Sequence, residues 1–160
     1  MVWPSPSLLR IDRSLYGEIV DHLNEAQPAE GVGLLAGVAN GGERQATRFF
    51  RGTNLDRSPT RYTMDPVEVI SAFREMEARD WELVAIVHSH PRTSPTPSVT
   101  DLREAHYPDS LLLIFGLASS PPVARCWFAS PAGTGGSMGA ASVREVAVIV
   151  DDAPVEPAAG

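Results

Sequence analysis

With 160 residues, 43% of them hydrophobic and 21% charged, the chain is long enough to bury one core without staples, and residues 1–150 are read as a single domain. A net charge of -7 argues against nucleic acid or an anionic membrane as a general partner, and no apolar run approaches the roughly 20 residues of a membrane span. The single cysteine, Cys126, excludes an internal disulfide, and all 13 basic residues are arginine.

The N-terminus, MVWPSPSLLRID, lacks the basic start and long apolar core of a secretory signal, so a cytoplasmic location is expected. From Arg13 to Gln27 the residues Leu15, Ile19, Val20, Leu23 and Ala26 recur at helical spacing, and Pro28 closes the segment. Val32 to Val38 and the alternating Ala46 to Phe50 flank the turn-forming Asn40-Gly41-Gly42, which predicts a hairpin. Asp65-Pro66-Val67-Glu68 places a capping side chain, a proline at the first helical position and a glutamate at the third, ahead of Val69, Ile70, Phe73 and Met76. A second helix starts there. A strand from Leu83 to Val87, a proline-bearing loop 91–97 and a short helix from Ser98 to about His106 follow. Leu111 to Leu117 reads as a buried strand, Val123 to Ala129 as a half-buried one and Glu145 to Val150 as the last, with a flexible AGTGGSMGAAS loop before it. Residues 151–160 carry too little apolar surface to offset their ordering entropy and are expected to form a disordered tail.

The run His88-Ser89-His90-Pro91 ends the central strand. Residues two apart on a strand share a face at roughly 6.5 to 7 Å between Cα atoms, so both imidazoles can reach one ion at about 2.0 to 2.1 Å. Ser98 with Asp101 three later is an ordinary helix-capping pattern, and a lone histidine on a strand is more often structural. Nothing structural, however, requires two imidazoles on one face at a strand's end with a carboxylate arriving from the next helix. His88, His90 and Asp101 are therefore candidate metal ligands, and such a set leaves the fourth tetrahedral position open to water, the pattern of a catalytic zinc. That chemistry needs a further carboxylate to take the water's proton. Glu30 stands out because it precedes the glycine-spaced strand GVGLLAG at an element terminus, although spacing alone does not separate it from a solvated loop charge.

Two segments, PAEGVGLLAG from Pro28 to Gly37 and HSHPRTSPTPSVTD from His88 to Asp101, resemble the JAMM/MPN+ zinc metalloprotease family. The resemblance covers about Leu9 to Phe128, taking in Asn54, the Ser58 to Tyr62 stretch and Asp65-Pro66. It implies an α/β fold, the single-domain MPN (cytidine-deaminase-like) fold with a mixed curved β-sheet flanked by helices, which agrees with the element order. It also implies that His88, His90 and Asp101 bind one Zn2+ per chain, that Glu30 acts as general base on zinc-bound water, and that Ser98 donates a hydrogen bond to the oxyanion. For Ser98 this role competes with helix capping for one hydroxyl. Many members carry a cysteine where this chain has Val32, which should fill the same space, and the chain lacks the long insertions of eukaryotic deubiquitinating members.

The implied activity is a metallo(iso)peptidase that hydrolyses the amide bond after the C-terminal diglycine of a ubiquitin-like or sulfur-carrier protein. A diglycine tail suits a narrow channel, extended against a strand edge, with loop 91–97 as a fixed wall or as an unconstrained border. Two rival readings are a non-catalytic scaffold of the same fold and a DNA-repair-associated branch with similar HxHP spacing. Scaffold members lack one or more of the glutamate, histidines and aspartate, all of which this chain keeps, and the acidic balance is poorly suited to phosphate contacts. Apolar strand edges could also pair between chains in a homodimer.

Overall fold

The computed structural model describes residues 5–103, 107, 110–131 and 140–152. Its elements are β1 (Leu8–Asp12), α1 (Arg13–Ala26), β2 (Val32–Asn40), β3 (Glu43–Gly52), α2 (Pro66–Ala78), β4 (Glu82–His90), α3 (Val99–Arg103), β5 (Leu111–Gly116), β6 (Val123–Pro131) and β7 (Ala140–Asp151). The expected hairpin is present as β2 and β3, joined through Gly41 at φ +60°, a conformation open to glycine.

The strands are hydrogen-bonded in the order β1-β3-β2-β4-β5-β6-β7, and β1 pairs with β7 as well, so the mixed sheet closes into a barrel. This corrects the expected curved sheet. The closure depends on β1, a five-residue strand that sequence periodicity did not announce, lying parallel to both β3 and β7. In it Leu9 and Ile11 are fully buried, while Leu8, Arg10 and Asp12 are half-buried. The premise of edge pairing between chains changes with it, because every strand of the closed barrel has a neighbour on both sides.

The last strand also starts earlier than expected. Ladder pairing between β6 and β7 runs back to Pro131 opposite Ala140, so Ala140 to Ser142 belong to β7 rather than to the glycine-rich loop. At the other end Asp151 pairs with Asp12, which takes residue 151 out of the expected tail. Residues 132–139 of the expected loop, 104–106 of the expected third helix and 153–160 of the tail lie outside the described residues.

The two long helices cover opposite faces of the sheet. Leu15, Ile19 and Leu23 of α1 bury against Leu35, Ala85, Val87, Leu113 and Phe115, each large aliphatic side chain contributing roughly 1.5 to 3 kcal/mol. Ala72 and Met76 of α2 bury against Leu34, Ile86 and Leu112. Asp12 caps α1 by accepting from the Leu15 N–H at 2.8 Å, and Asp65 caps α2 by accepting from the Val67 N–H at 2.9 Å. Glu68 does not reach back to that cap: it accepts from the Thr53 N–H and hydroxyl, because the Asp65 N–H is already taken by the Thr53 carbonyl. The glycine spacing of β2 is steric. A Cβ on Gly33 would sit 2.4 Å from the Phe49 ring, and one on Gly37 would sit 1.9 Å from the Gln45 carbonyl oxygen. Among the described residues no helix is long and apolar enough to cross a membrane.

Candidate metal centre

Strand β4 is central in the sheet, antiparallel to β2 and parallel to β5. Its alternation puts Ile86, His88 and His90 on the face that packs α2, and Ala85, Val87 and Ser89 on the face that packs α1. Both imidazoles are buried, His88 completely. The third member arrives from α3. There Ser98 and Asp101 form a reciprocal box, the Asp101 N–H donating to the Ser98 hydroxyl at 3.0 Å and the Ser98 N–H to Asp101 Oδ2 at 2.8 Å. This turns the carboxylate inward, where it is also buried.

Three atoms or atom pairs converge. His88 Nε2 lies 3.3 Å from His90 Nε2 and 3.2 Å from Asp101 Oδ1, and His90 Nε2 lies 3.1 Å from Asp101 Oδ2. Ligands about 2.0 to 2.1 Å from a tetrahedral zinc are separated by roughly 3.3 Å, so the triangle has the right edge length. The donor chemistry fits a cation as well. His90 Nδ1–H must donate to the Ser94 carbonyl at 2.8 Å, since that oxygen can only accept, and this leaves the Nε2 lone pair facing a carboxylate. Lone pair against lone pair at this distance calls for protons or a metal ion between them.

The electrostatics carry the same message. Burial disfavours the charged form of His90, yet the hydrogen bonds to Asp101 and to the Ser94 carbonyl, with the charges of Asp101 and Glu30, raise its pKa above the ordinary value. Burial likewise opposes the Asp101 charge, but hydrogen bonds from His88 and His90 and from the Ser98 N–H hold that carboxyl far below the usual carboxylate range. The pocket is built for positive charge beside Asp101.

Glu30 enters through long-range register. Val32 pairs with His88, and Gly31 is bonded to Ser89 on both sides, so Glu30 falls level with His90 across the β2–β4 ladder. Period-2 alternation gives Glu30 the same face as Val32 and the two histidines, and the residue is 3% exposed. Its N–H donates to the Ser58 carbonyl at 2.8 Å and its carbonyl accepts from Asn54 Nδ2 at 3.0 Å. The site residues anticipated from sequence thus lie in one neighbourhood: His88, His90 and Asp101 in contact, Glu30 close enough for its charge to act on His90, and Ser98 at the exposed cap of α3.

Several supporting residues carried no role in the sequence reading. Ser89 ties the segment that carries Glu30 to the histidine strand, Asn54 holds the Glu30 backbone, and the Tyr62 ring lies 4.9 Å from that of His88. The available signal was the run from Asn54 to Tyr62, which belonged to the resemblance without a function attached. Loop 91–97 is anchored to the rest of the fold: Trp127 Nε1–H donates to the Pro95 carbonyl at 2.9 Å, the Pro95 ring packs on Gly116, and the Ser94 carbonyl is held by His90.

Comparisons with known proteins agree with this geometry. Residues 12–130 match the family described as prokaryotic homologs of the JAB domain. The chain is 37% identical over 101 residues to a Thermus thermophilus protein named "Probable TtuB-protein conjugate cleaving protease", covering 62% of this chain and 65% of that one. It is 38% identical over 103 residues to the CysO-cysteine peptidase of Mycobacterium tuberculosis, covering 64% and 69%, and 34% identical over 101 residues to the desampylase of Haloferax volcanii, covering 60% and 71%. The solution structure of a protein from Desulfitobacterium hafniense superposes with a TM-score of 0.77 at 31% identity, covering 91% of this chain and 94% of that one.

Proposed function

Because the chain belongs to the prokaryotic JAB family, within the JAMM/MPN group, we propose that it is a zinc-dependent metallopeptidase acting after the C-terminal diglycine of a ubiquitin-like or sulfur-carrier protein. The observation that carries this reading is the buried convergence of two histidine Nε2 atoms and one carboxylate, with Glu30 on the same face. The relatives' names add support, being a conjugate-cleaving protease, a peptidase and a desampylase.

In this reading His88, His90 and Asp101 hold one zinc ion per chain. When bound, the ion would lower the pKa of a water and polarise the scissile carbonyl. Glu30 takes the proton from the attacking water and delivers it to the leaving nitrogen, so that the amide bond breaks as the new carboxylate forms. Ser98 donates a hydrogen bond from its hydroxyl to the oxyanion. Capping does not prevent this, because the Asp101 N–H occupies only a lone pair of that hydroxyl. A groove of about 350 Å³ beside His88, lined by Val32, Leu34, Tyr62, Met64 and Ile86, receives the tail. Met64 forms an antiparallel bridge with Asn54 in which the flanking residues make the hydrogen bonds, so its own N–H and C=O point outward and offer an edge to an extended glycine pair. A cytoplasmic location belongs to the same reading and is consistent with the buried thiol of Cys126.

The test combines zinc analysis with cleavage of ubiquitin-like fusions bearing different C-terminal extensions. One zinc per chain and release of the extension are expected, with Glu30→Gln slower by about 10²- to 10⁴-fold. Absence of stoichiometric zinc, or a Glu30→Gln variant as fast as the parent, would overturn the proposal and leave a scaffold of the same fold.

A further inference from the structure

Strand β2 enters its ladders at Val32, opposite Gly52 and His88, so Glu30 lies outside the sheet, two residues before it. Gly31 is held by Ser89. Both backbone groups of Glu30 are held instead by the segment between β3 and α2. The Ser58 carbonyl accepts the Glu30 N–H at 2.8 Å, and Asn54 Nδ2 donates to the Glu30 carbonyl at 3.0 Å. The sheet therefore fixes the residue after the candidate base, and segment 53–65 fixes the backbone of the base itself.

Asn54 is the hub of that segment. Its Nδ2 donates a second time, to the Arg61 carbonyl at 3.0 Å, and its Oδ1 accepts from the Asp56 and Thr63 N–H groups at 3.1 Å each. A carboxamide has two N–H donors and two acceptor lone pairs, so all four are in use. The partners also fix which way the group points, because the reverse orientation would set N–H against N–H and oxygen against oxygen. The Asn54 backbone bridges Met64, beside the Leu55 N–H donated to the Thr63 carbonyl at 2.8 Å, and the root of the segment is pinned where Glu68 accepts from Thr53. The oxygen of Asn54 thus closes the loop that displays Met64, and its nitrogen ties that loop to the backbone carrying Glu30.

We propose that Asn54 is a positioning residue for the candidate base, its nitrogen acting on Glu30 and its oxygen on the groove. The inference rests on the peptidase reading, in which Glu30 must sit within hydrogen-bond reach of a water proton, about 2.6 to 3.2 Å between heavy atoms. A carboxylate whose backbone is free to shift loses that reach, and misplacement by about 1 Å can cost about 10²-fold in rate. The four bonds of Asn54 go to Glu30 and to its own loop, whereas His88, His90 and Asp101 stand on β4 and α3.

Two variants separate the two ends of the amide. Asn54→Asp keeps an acceptor for the Asp56 and Thr63 N–H groups but loses both donors, and Asn54→Leu, of similar shape and without charge, loses all four bonds. With the diglycine fusion as substrate of the zinc-loaded full chain, Asn54→Asp should lower kcat about 10- to 100-fold with KM within about twofold. Asn54→Leu should lower kcat equally and raise KM as well. Thr53→Val, which loosens the same segment at its root without touching Glu30, should leave kcat within about twofold. On a Glu30→Gln background Asn54→Asp should cost nothing further, since a residue that acts through the base has nothing left to position. Zinc stoichiometry should match the parent in every variant. Amide exchange of the chelated protein gives a readout independent of cleavage: the Glu30 N–H should exchange about tenfold faster in Asn54→Asp, while the Thr63 N–H, whose acceptor is kept, should not. Unchanged kcat or unchanged Glu30 exchange in Asn54→Asp, an equal loss in Thr53→Val, or a full further loss on Glu30→Gln would each overturn the proposal. A parent that cleaves no fusion would instead sink the peptidase reading, and Glu30 exchange would still decide whether Asn54 holds that residue.

Discussion

Ser89 and Gly31 hold each other through two hydrogen bonds, the Gly31 N–H donating to the Ser89 hydroxyl at 2.8 Å and the Ser89 N–H to the Gly31 carbonyl at 3.1 Å. The residue between the two histidines thus clamps the residue after Glu30. Ser89→Ala leaves a buried N–H without its acceptor and should cost about 1 to 3 kcal/mol by denaturant titration. Activity should fall while zinc stoichiometry is kept, because the clamp positions the base and not the ligands. Loss of zinc with stability unchanged would contradict this.

Zinc should stabilise the fold through His88, His90 and Asp101. At a hundredfold excess over its Kd the ion should add about 2.7 kcal/mol to the parent, seen as a rise in thermal midpoint reversed by a chelator. His88→Ala should abolish the rise. A variant that still gained the full increment would place the ion elsewhere.

For the chelated protein the pH dependence follows from two opposite shifts. Burial pushes Asp101 up, but hydrogen bonds from the histidines hold it below its ordinary 3.8, so its contribution is present above 3.8 and is lost as pH falls through the lowered value. His90, raised above 6.5, contributes fully below 6.5, and this is lost as pH rises through the raised value. Asp101→Ala should therefore cost more stability at about pH 5.5 than at about pH 9, measured as the difference in thermal midpoint. Zinc affinity should rise with pH over the same upper range, since binding displaces the His90 proton.

Cys126 is fully buried, and burial pushes its thiol pKa up to about 12. At pH 8 a disulfide reagent should label it only on unfolding, and as the single cysteine it gives one clean signal. Fast labelling of the native protein would mean that the β5–β6 region opens readily.

Trp127→Phe removes the N–H that holds the Pro95 carbonyl and should cost about 1 kcal/mol. The freed loop should raise KM more than it lowers kcat. An unchanged KM would show that loop 91–97 does not border the tail.

The convergence of the candidate metal ligands was legible because its parts are local: two histidines one residue apart on an apolar strand, and a serine-aspartate pair that caps the next helix. Glu30 was not legible from spacing, since its place beside His90 comes from the β2–β4 register and from Ser58 and Asn54, which are remote in the chain. Tyr62 against His88 is the same kind of case. The barrel was missed because its closing strand is five residues long, follows a proline-rich start, and finds one partner at the far end of the chain.

The parallel pairing of Leu8–Asp12 with Ala147–Asp151 also constrains how the molecule is made. On its β7 side β1 must wait for a partner about 140 residues further on, so ring closure is the most non-local pairing of the fold. Until then β1 on one side and β6 on the other present unpaired ladders. A chain stalled or truncated before β7 is an open sheet with two sticky borders, and it should aggregate by strand addition where the finished ring does not.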